Sequence, residues 1–379
     1  MTVHLGLPTI AATGASCASG SAEAAPGQSS SNGVLPHAEH HESALLDRYG
    51  RRATDLRISL IDKCNLRCTY CMPADGLPWL AKEQLLSLEE ITRIVRVGVR
   101  TLGIRELRLT GGEPLVRKDL VDIIAAIRAE HPDLPISMTT NGVGLDKKAQ
   151  ALKDAGLTRI NVSLDTLHAE VFEKLTRRDH FPRVMAGIDA ALTAGLTPVK
   201  INAVLMRGVN DHEAADLLHW ALERGLELRF IEHMPLDADK KWVRDGLVTA
   251  SEIREQIRED FTLEVSPENR NGAPAERFLV KDASGSTLGT VGIIASVTEP
   301  FCADCTRTRI TAEGKVMSCL FSSEETDLRG LLRDGSDDDA LAQRWKDAMW
   351  LKPRAHGADE GIARDEFVRP ERSMSAIGG

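Results

Sequence analysis

From Asp55 to about Asp237, short apolar runs alternate with amphipathic stretches, a rhythm that predicts βα units around a parallel sheet. The predicted strands are Leu56–Ile61, Glu106–Thr110, Ile136–Thr140, Arg159–Leu164, Val199–Leu205 and Glu227–Glu232. The first intervening helix opens on a capping box of Ser87 and Glu90 and lines up Leu88, Ile91, Val95, Val99 and Leu102 on one face. A second spans Leu120–Glu130, with Leu120, Ile123, Ile124 and Ile127 as its buried stripe. Asp211–Arg224 reads as another, stopped by Gly225, as helix C-termini often are. Strands joined by right-handed crossovers in this way make an α/β fold, a partial (β/α)6 TIM-type barrel. Its ligands should meet at the strand C-terminal ends.

Past about Leu236 the period shortens. Thr262–Val265, Glu276–Val280, Ser286–Ile294, Thr306–Thr311 and Lys315–Ser318 are β-rich and separated by Gly-rich turns. They predict a smaller C-terminal β-rich extension covering the barrel mouth. The first 45 residues are rich in Ala, Gly, Ser and His without periodicity and read as a disordered tail. Cys17 there reads as a surface thiol, and His37, His40 and His41 as solvated side chains rather than ligands. The expected organisation is a tail at 1–45, a barrel core at 46–240, a C-terminal domain at 241–335 and a terminal segment at 336–379. In that last segment the acidic run Ser336–Asp339 either solvates a loop or does more, and the residues alone leave both open.

Composition narrows the function classes. At 379 residues, 42% hydrophobic and 27% charged, the chain can bury a sizeable core. A net charge of −9 argues against nucleic-acid binding, which needs a broad basic surface. It leaves room for a phosphorylated ligand, because a few pocket arginines set the local potential. No run approaches the ~20 apolar residues of a membrane span, and no basic segment followed by an apolar one marks secretion. Arg51-Arg52 has no apolar stretch behind it. Six of the seven cysteines form two triplets rather than a disulfide ladder, so a reducing, cytoplasmic location is expected.

Those triplets carry the chemistry. Cys64, Cys68 and Cys71 are spaced C-x3-C-x2-C, with Tyr70 just before the third. Three thiolates can hold a cubane iron–sulfur cluster and leave one iron without a protein ligand, whereas electron-carrying clusters usually take four cysteines. Zinc, an ordinary cluster and simple packing are the alternatives, though zinc prefers paired C-x2-C units with a fourth ligand. Thr110-Gly111-Gly112-Glu113-Pro114 follows the second strand, and Thr139 and Ser163 stand at the ends of the third and fourth. Each alone is an ordinary turn or hydroxyl; on successive strands they look like one pocket. The second triplet, Cys302, Cys305 and Cys319, is spaced C-x2-C-x13-C with no histidine nearby as a fourth ligand. Arg307 and Arg309 lie inside it, two apart on a strand and so on the same side. Their planar forks suit phosphate oxygens.

Taken together, two such triplets, Gly-Gly-Glu-Pro, Arg-x-Arg inside the second triplet and a terminal Gly378-Gly379 make the chain resemble the GTP 3′,8-cyclases of molybdenum-cofactor biosynthesis, a radical S-adenosylmethionine (SAM) family. The resemblance covers roughly residues 48–325 and the last two glycines. It implies that Cys64, Cys68 and Cys71 hold one [4Fe–4S] cluster that chelates SAM, with Tyr70, Gly112, Ser163 and Met234 at SAM-binding positions. Cys302, Cys305 and Cys319 would hold a second [4Fe–4S] cluster facing the guanine base. Arg57, Arg108, Thr139, Lys200, Arg307 and Arg309 match GTP-contacting positions, and a catalytic part is implied for Arg307 and for Gly378-Gly379, a tail inserted toward the pocket. The implied reaction is that of a lyase. A 5′-deoxyadenosyl radical takes the 3′ hydrogen of GTP, C3′ bonds to C8, and reduction gives (8S)-3′,8-cyclo-7,8-dihydroguanosine 5′-triphosphate. Implied partners are GTP, an external electron donor of flavodoxin or ferredoxin type, the cyclic pyranopterin monophosphate synthase that acts next, and a second copy in a homodimer. A peptide-modifying radical-SAM enzyme and a non-catalytic metal scaffold are the rivals. The first usually carries more cysteines in its extension, and the second would leave Gly-Gly-Glu-Pro idle.

Overall fold

The computed structural model describes residues 44–355, 372 and 374–377. The predicted tail with Cys17, His37, His40 and His41 lies outside the described residues apart from Ala44 and Leu45, and so do Gly378 and Gly379. Leu45 is fully buried, so packing begins within the last residues of that stretch.

Six parallel strands are neighbours in space in the order they occur in the chain: β1 (Asp55–Ser59), β2 (Glu106–Thr110), β3 (Ile136–Thr140), β4 (Arg159–Ser163), β5 (Val199–Val204) and β6 (Glu227–Ile231). Between them run α1 (Leu88–Arg100), α2 (Leu120–Glu130), α3 (Ala149–Asp154), α4 (Ala169–Thr176), α5 (Phe181–Thr193) and α6 (Ala214–Glu223). The expected capping box starts α1: Glu90 N–H donates to Ser87 Oγ at 3.2 Å, and Ser87 N–H donates to the Glu90 carboxylate at 2.7 Å. Helix α6 starts at Ala214 rather than Asp211 because side chains hold the preceding residues in a turn. Asn210 donates to the carbonyls of Asp165 and Val204, and buried Glu213 accepts from Thr166 O–H and Leu167 N–H.

The later strands do not make a second layer. After α7 (Ala250–Asp260) come β7 (Thr262–Val265), β8 (Glu276–Lys281) and β9 (Thr287–Ile294), which extend the sheet beyond β6, with β9 parallel to β6. At the opposite edge β10 (Arg307–Ile310) runs parallel to β1, followed by the antiparallel β11 (Lys315–Met317) and β12 (Thr326–Asp327). One 12-stranded sheet results, ordered β12-β11-β10-β1-β2-β3-β4-β5-β6-β9-β8-β7. The predicted extension thus widens the barrel at both flanks, and β10 together with the loop before it reaches the interior.

Parallel strands covered on both faces usually read as continuous apolar runs. Here they alternate. Leu56, Ile58, Leu107, Leu109, Ile160, Val162, Ile201 and Phe230 face the helices and are essentially inaccessible. The intervening positions are polar: Arg57 is in register with Arg108 on one side and with Arg309 on the other. The hydrophobic core therefore lies outside the barrel, between strands and helices, and the lumen is left for a charged ligand.

Helix α8 (Arg329–Arg333) follows β12, and the terminal segment contributes α9 (Asp338–Trp350) and a last turn, α10 (Met374–Ile377). The acidic run is not simply a solvated loop. Asp337 caps α9 by accepting from Ala340 N–H at 2.9 Å, and Asp338 pairs with Arg93 at 2.8 Å. Trp345 of α9 is fully buried and its indole N–H donates to Thr308 on β10 at 2.9 Å. No helix among the described residues is long and apolar enough to cross a membrane.

Candidate active site

The first cysteine loop leaves β1 and crosses the C-terminal mouth of the barrel. Cys64, Cys68 and Cys71 are all partly exposed on it, with backbone turns from Cys71 and Met72 N–H to Cys68 O, both at 3.0 Å. Leu66 N–H points at Cys64 Sγ from 3.4 Å and Asn141 Nδ2 from 3.7 Å. Burial, helped by Glu113, pushes the Cys64 thiol up to about 11. Burial first, then the charges of Cys71, Asp165 and Cys64, push Cys68 well above the usual thiol range. Three thiolates this close disfavour one another unless positive charge lies among them, so the triplet fits a cluster that supplies it. Among the described residues no three His, Cys, Asp or Glu converge as the ligands of a single ion would. A cubane instead seats each thiolate on a different iron. Tyr70 is fixed by donating its hydroxyl to Asp165 at 2.6 Å, and Asp165 also accepts from Val204 N–H at 2.9 Å.

Gly111 and Gly112 turn out to serve the cysteine loop itself. A Cβ on Gly112 would sit 2.4 Å from the carbonyl oxygens of Asp62 and Lys63, and one on Gly111, at φ +135°, would sit 2.3 Å from Ile61 O. Gly112 N–H donates to Ile61 O at 2.7 Å and Glu113 N–H to Lys63 O at 2.8 Å, stitching the end of β2 to the residues just before Cys64. Glu113 is 1% exposed, and its carboxylate accepts from Leu115 N–H, Thr140 O–H and Asn141 N–H at 2.9, 2.7 and 2.7 Å. Burial pushes Glu113 up to about 7 despite these bonds. Gly-Gly-Glu-Pro thus braces the loop against β2 and β3.

Inside the barrel, Arg57, Arg108, Thr139, Arg307 and Arg309 line one cavity of about 150 Å³ together with Met234 and Cys302, Cys305 and Cys319. Apart from Lys200, the sequence-predicted residues of the second triplet and of the nucleotide site therefore share one chamber. A second cavity of about 370 Å³ lies toward the strand N-terminal ends and shares Arg108, Arg229 and Pro274 with the first. Lys200 lines this second cavity, where it pairs with Glu227, and Arg159 pairs with Glu106 at 2.9 Å. Burial, then repulsion from Arg108, lowers Arg57 to about 9; burial, then Arg57 and Arg307, lowers Arg309 to about 9. Burial lowers Arg108 and Arg229 to about 10. All four remain charged at neutral pH. The Nε atoms of Arg57, Arg108 and Arg229 are buried without a hydrogen-bond partner; Asp55, 3.5 Å from Arg57, is the carboxylate that acts most on Arg57 and Arg108, and Glu227 the one that acts on Arg229. Such crowding is costly unless an anion completes it.

Ser163 ends β4 beside Asn202 in register, and Met234 packs against the small cluster of Trp242, Leu247 and Val297 while also lining the chamber. Sequence reasoning missed Asn161, Asn202 and Arg229. Asn161 donates to Thr139 at 3.3 Å and accepts from Arg229 at 2.9 Å, so β3, β4 and β6 are joined by one hydrogen-bonded row across the lumen. Strand parity was the available signal, since these residues alternate in step with Lys200. At Cys305 burial raises the thiol pKa, but Lys352 and Arg307 outweigh it and bring it to about 6, the thiolate form that metals bind. The last described turn of the chain docks nearby: Met374 N–H reaches Leu236 O at 3.4 Å, and Arg372 pairs with Glu313 and Glu325.

A cysteine loop at the C-terminal mouth of a parallel barrel with a polar lumen defines the molecule as a radical SAM protein. The Radical SAM superfamily model matches residues 58–221, and the Molybdenum Cofactor Synthesis C model matches residues 226–358. The fold is similar to that of Streptococcus suis SuiB bound to S-adenosylmethionine, with a TM-score of 0.54 over 79% of this chain and 67% of that one, at 16% identity. The chain is 67% identical to the GTP 3′,8-cyclase of Paenarthrobacter nicotinovorans over 88% of its own length and 97% of the relative's. It is 55% identical to that of Streptomyces coelicolor, covering 88% and 96%, and 51% identical to that of Rhodococcus opacus, covering 100% and 99%. The chain belongs to the GTP 3′,8-cyclase family.

Proposed function

We propose that this chain converts GTP to (8S)-3′,8-cyclo-7,8-dihydroguanosine 5′-triphosphate, the opening step of molybdenum-cofactor biosynthesis, and that its own residues divide the work as follows. Cys64, Cys68 and Cys71 hold the [4Fe–4S] cluster that, with SAM, supplies the radical chemistry. Tyr70, Gly112, Ser163 and Met234 surround SAM. Cys302, Cys305 and Cys319 hold the second [4Fe–4S] cluster beside the base. Arg57, Arg108, Arg307, Arg309 and Lys200, with Thr139, hold the nucleotide. The observation that carries this reading is the register of Arg309, Arg57 and Arg108 across three adjacent strands, in one chamber with the second triplet. Phosphate oxygens satisfy the crowded guanidiniums bidentately and remove the cost of burying them. Lys200 exchanges Glu227 for the triphosphate. Fixing SAM at the mouth and the nucleotide in the lumen confines the reacting atoms and excludes water.

The family resemblance assigns a catalytic part to the terminal Gly378-Gly379 and to Arg307. An external flavodoxin- or ferredoxin-type donor supplies electrons, the product passes to cyclic pyranopterin monophosphate synthase, and the protein works in the cytoplasm, as a homodimer. Anaerobic incubation with GTP, SAM and dithionite tests the central claim. The product is an isomer of GTP, separated from it by chromatography and recognised by fragmentation, and it forms together with 5′-deoxyadenosine. Deoxyadenosine released at a rate indifferent to GTP, with no such isomer, would overturn it.

A further inference from the structure

Lys352 lies just past α9, far in sequence from either cysteine triplet, and only 2% of it is exposed. Burying an ammonium is expensive without strong acceptors. Its Nζ donates to Arg307 O at 2.7 Å, to Cys305 O at 3.4 Å and to Cys305 Sγ at 3.2 Å. None of these acceptors is a carboxylate, and all belong to the second cysteine loop and β10. The same sulfur accepts from Arg307 at 3.2 Å. The segment carrying Lys352 is itself tied down. Arg51 donates to Pro353 O at 2.6 Å, to Arg354 O at 2.8 Å and to Cys302 O at 2.8 Å, and its Nε pairs with Asp47 at 2.6 Å. Two chain segments from opposite ends of the sequence therefore converge on this loop, one delivering a cation to a cysteine sulfur.

We infer that Lys352 is a positioning residue for the second cluster, holding the Cys305 corner by an N–H⋯S hydrogen bond and setting the cluster's reduction potential with its charge. This rests on the reading that Cys302, Cys305 and Cys319 hold that cluster. Reduction adds one negative charge to the cluster, and a buried cation on one of its sulfurs favours the reduced form. Hydrogen bonds to the sulfurs and local charge are the established levers on such potentials. Arg307 donates to the same sulfur but also lines the nucleotide chamber, whereas Lys352 does not.

The test is an EPR-monitored redox titration of the anaerobically loaded full chain, taking the signal that SAM leaves unchanged as the second cluster's. In Lys352→Met the reduced-to-oxidised ratio at fixed potential should fall about tenfold, equivalent to 59 mV for a one-electron couple. Lys352→Gln, which keeps a donor without the charge, should fall between, and Lys352→Arg should return close to wild type. A Met variant that keeps its iron and titrates with the wild type overturns the inference. Should the Met variant lose the second cluster, the Gln variant decides: a lowered potential supports the inference and a wild-type potential overturns it. If both lose iron, full iron at the wild-type potential in Lys352→Arg supports it, and anything less overturns it. A wild-type protein with no SAM-indifferent signal would instead overturn the two-cluster reading itself.

Discussion

Replacing Gly112 with alanine adds one methyl group at the seam between β2 and the first cysteine loop. That carbon would stand 2.4 Å from two backbone oxygens, those of Asp62 and Lys63, and 2.6 Å from Lys63 C. Cβ contacts below 3.0 Å are essentially never seen, so the loop must retreat by at least 3.0 − 2.4 = 0.6 Å, and no flexible side chain is there to yield instead. The two stitching bonds, 2.7 and 2.8 Å, would stretch to about 3.3 Å or more, beyond the usual range. Overpacking of this kind costs about 1–3 kcal/mol. Two weakened hydrogen bonds add about 1 kcal/mol each. The total, roughly 3–5 kcal/mol, is a large share of the ~5–15 kcal/mol that holds a typical domain together. It falls on the residues immediately before Cys64. Iron per chain after anaerobic reconstitution should therefore drop from about eight toward about four, the content of one [4Fe–4S] cluster. SAM affinity should fall by roughly tenfold or more, the equivalent of at least ~1.4 kcal/mol, while GTP binding at the other triplet persists. Full iron, SAM affinity and turnover in Gly112→Ala would refute the idea that this glycine exists for the loop's close approach.

Arg57→Leu should weaken GTP by about 1.5–3 kcal/mol, some 10–150-fold by calorimetry, yet leave the melting temperature of the ligand-free protein unchanged or higher, because a crowded buried cation is gone; a fall of several degrees would contradict the crowding argument. Trp345→Ala should cost about 3–5 kcal/mol in denaturant unfolding and, by freeing Thr308 between the two arginines of β10, weaken GTP as well; unaltered GTP binding would show that α9 does not brace that strand. Glu113, raised to about 7 by burial, keeps its proton in the folded state where the unfolded chain, near 4.5, has lost it. The stability from that proton is complete below pH 4.5 and disappears as pH rises through 7, so the melting temperature should fall across that window and fall less steeply in Glu113→Gln; equal slopes would remove Glu113 as the cause. Arg309→Ala should raise the requirement for GTP while SAM binding stays within about twofold, a separation that parallel losses of both would disprove.

Much of the fold could be read from local pattern. The six barrel strands and α1 follow from period and capping, and the boundaries of β2 to β4 fell within one residue of expectation because Gly, Pro and polar residues punctuate them. What local pattern cannot supply is which distant strand lies alongside. The pairings of β10 with β1 and of β9 with β6 join residues some 250 and 60 positions apart, and hydrophobic alternation, being local, says nothing of them. Helix α9 is absent from the predicted elements although its signal is present: Leu341, Ala342, Trp345, Ala348 and Met349 have helical spacing, and the acidic run before them supplies the cap. At the site, residues inside motifs were found, whereas Asn161, Asn202 and Arg229, which belong to no motif, needed the strand parity to be followed inward. Arg51 and Lys352 gave no local sign, since a buried cation looks like any other Arg or Lys until its partner is known.

The knot that Arg51 ties between residues near the start of the packed chain and residues just past α9 bears on any shortened version of this protein. A chain ending at residue 377 lacks only the two terminal glycines and reports on them. One ending at residue 335 would also remove α9, Lys352 and the carbonyls that Arg51 grips, and would unseat the second cysteine loop as well. On the proposed roles both should lose activity, for unrelated reasons. Shortening from the other end past Asp47 strikes the same knot. Iron content, measured before turnover, separates a missing tail from a missing fastening.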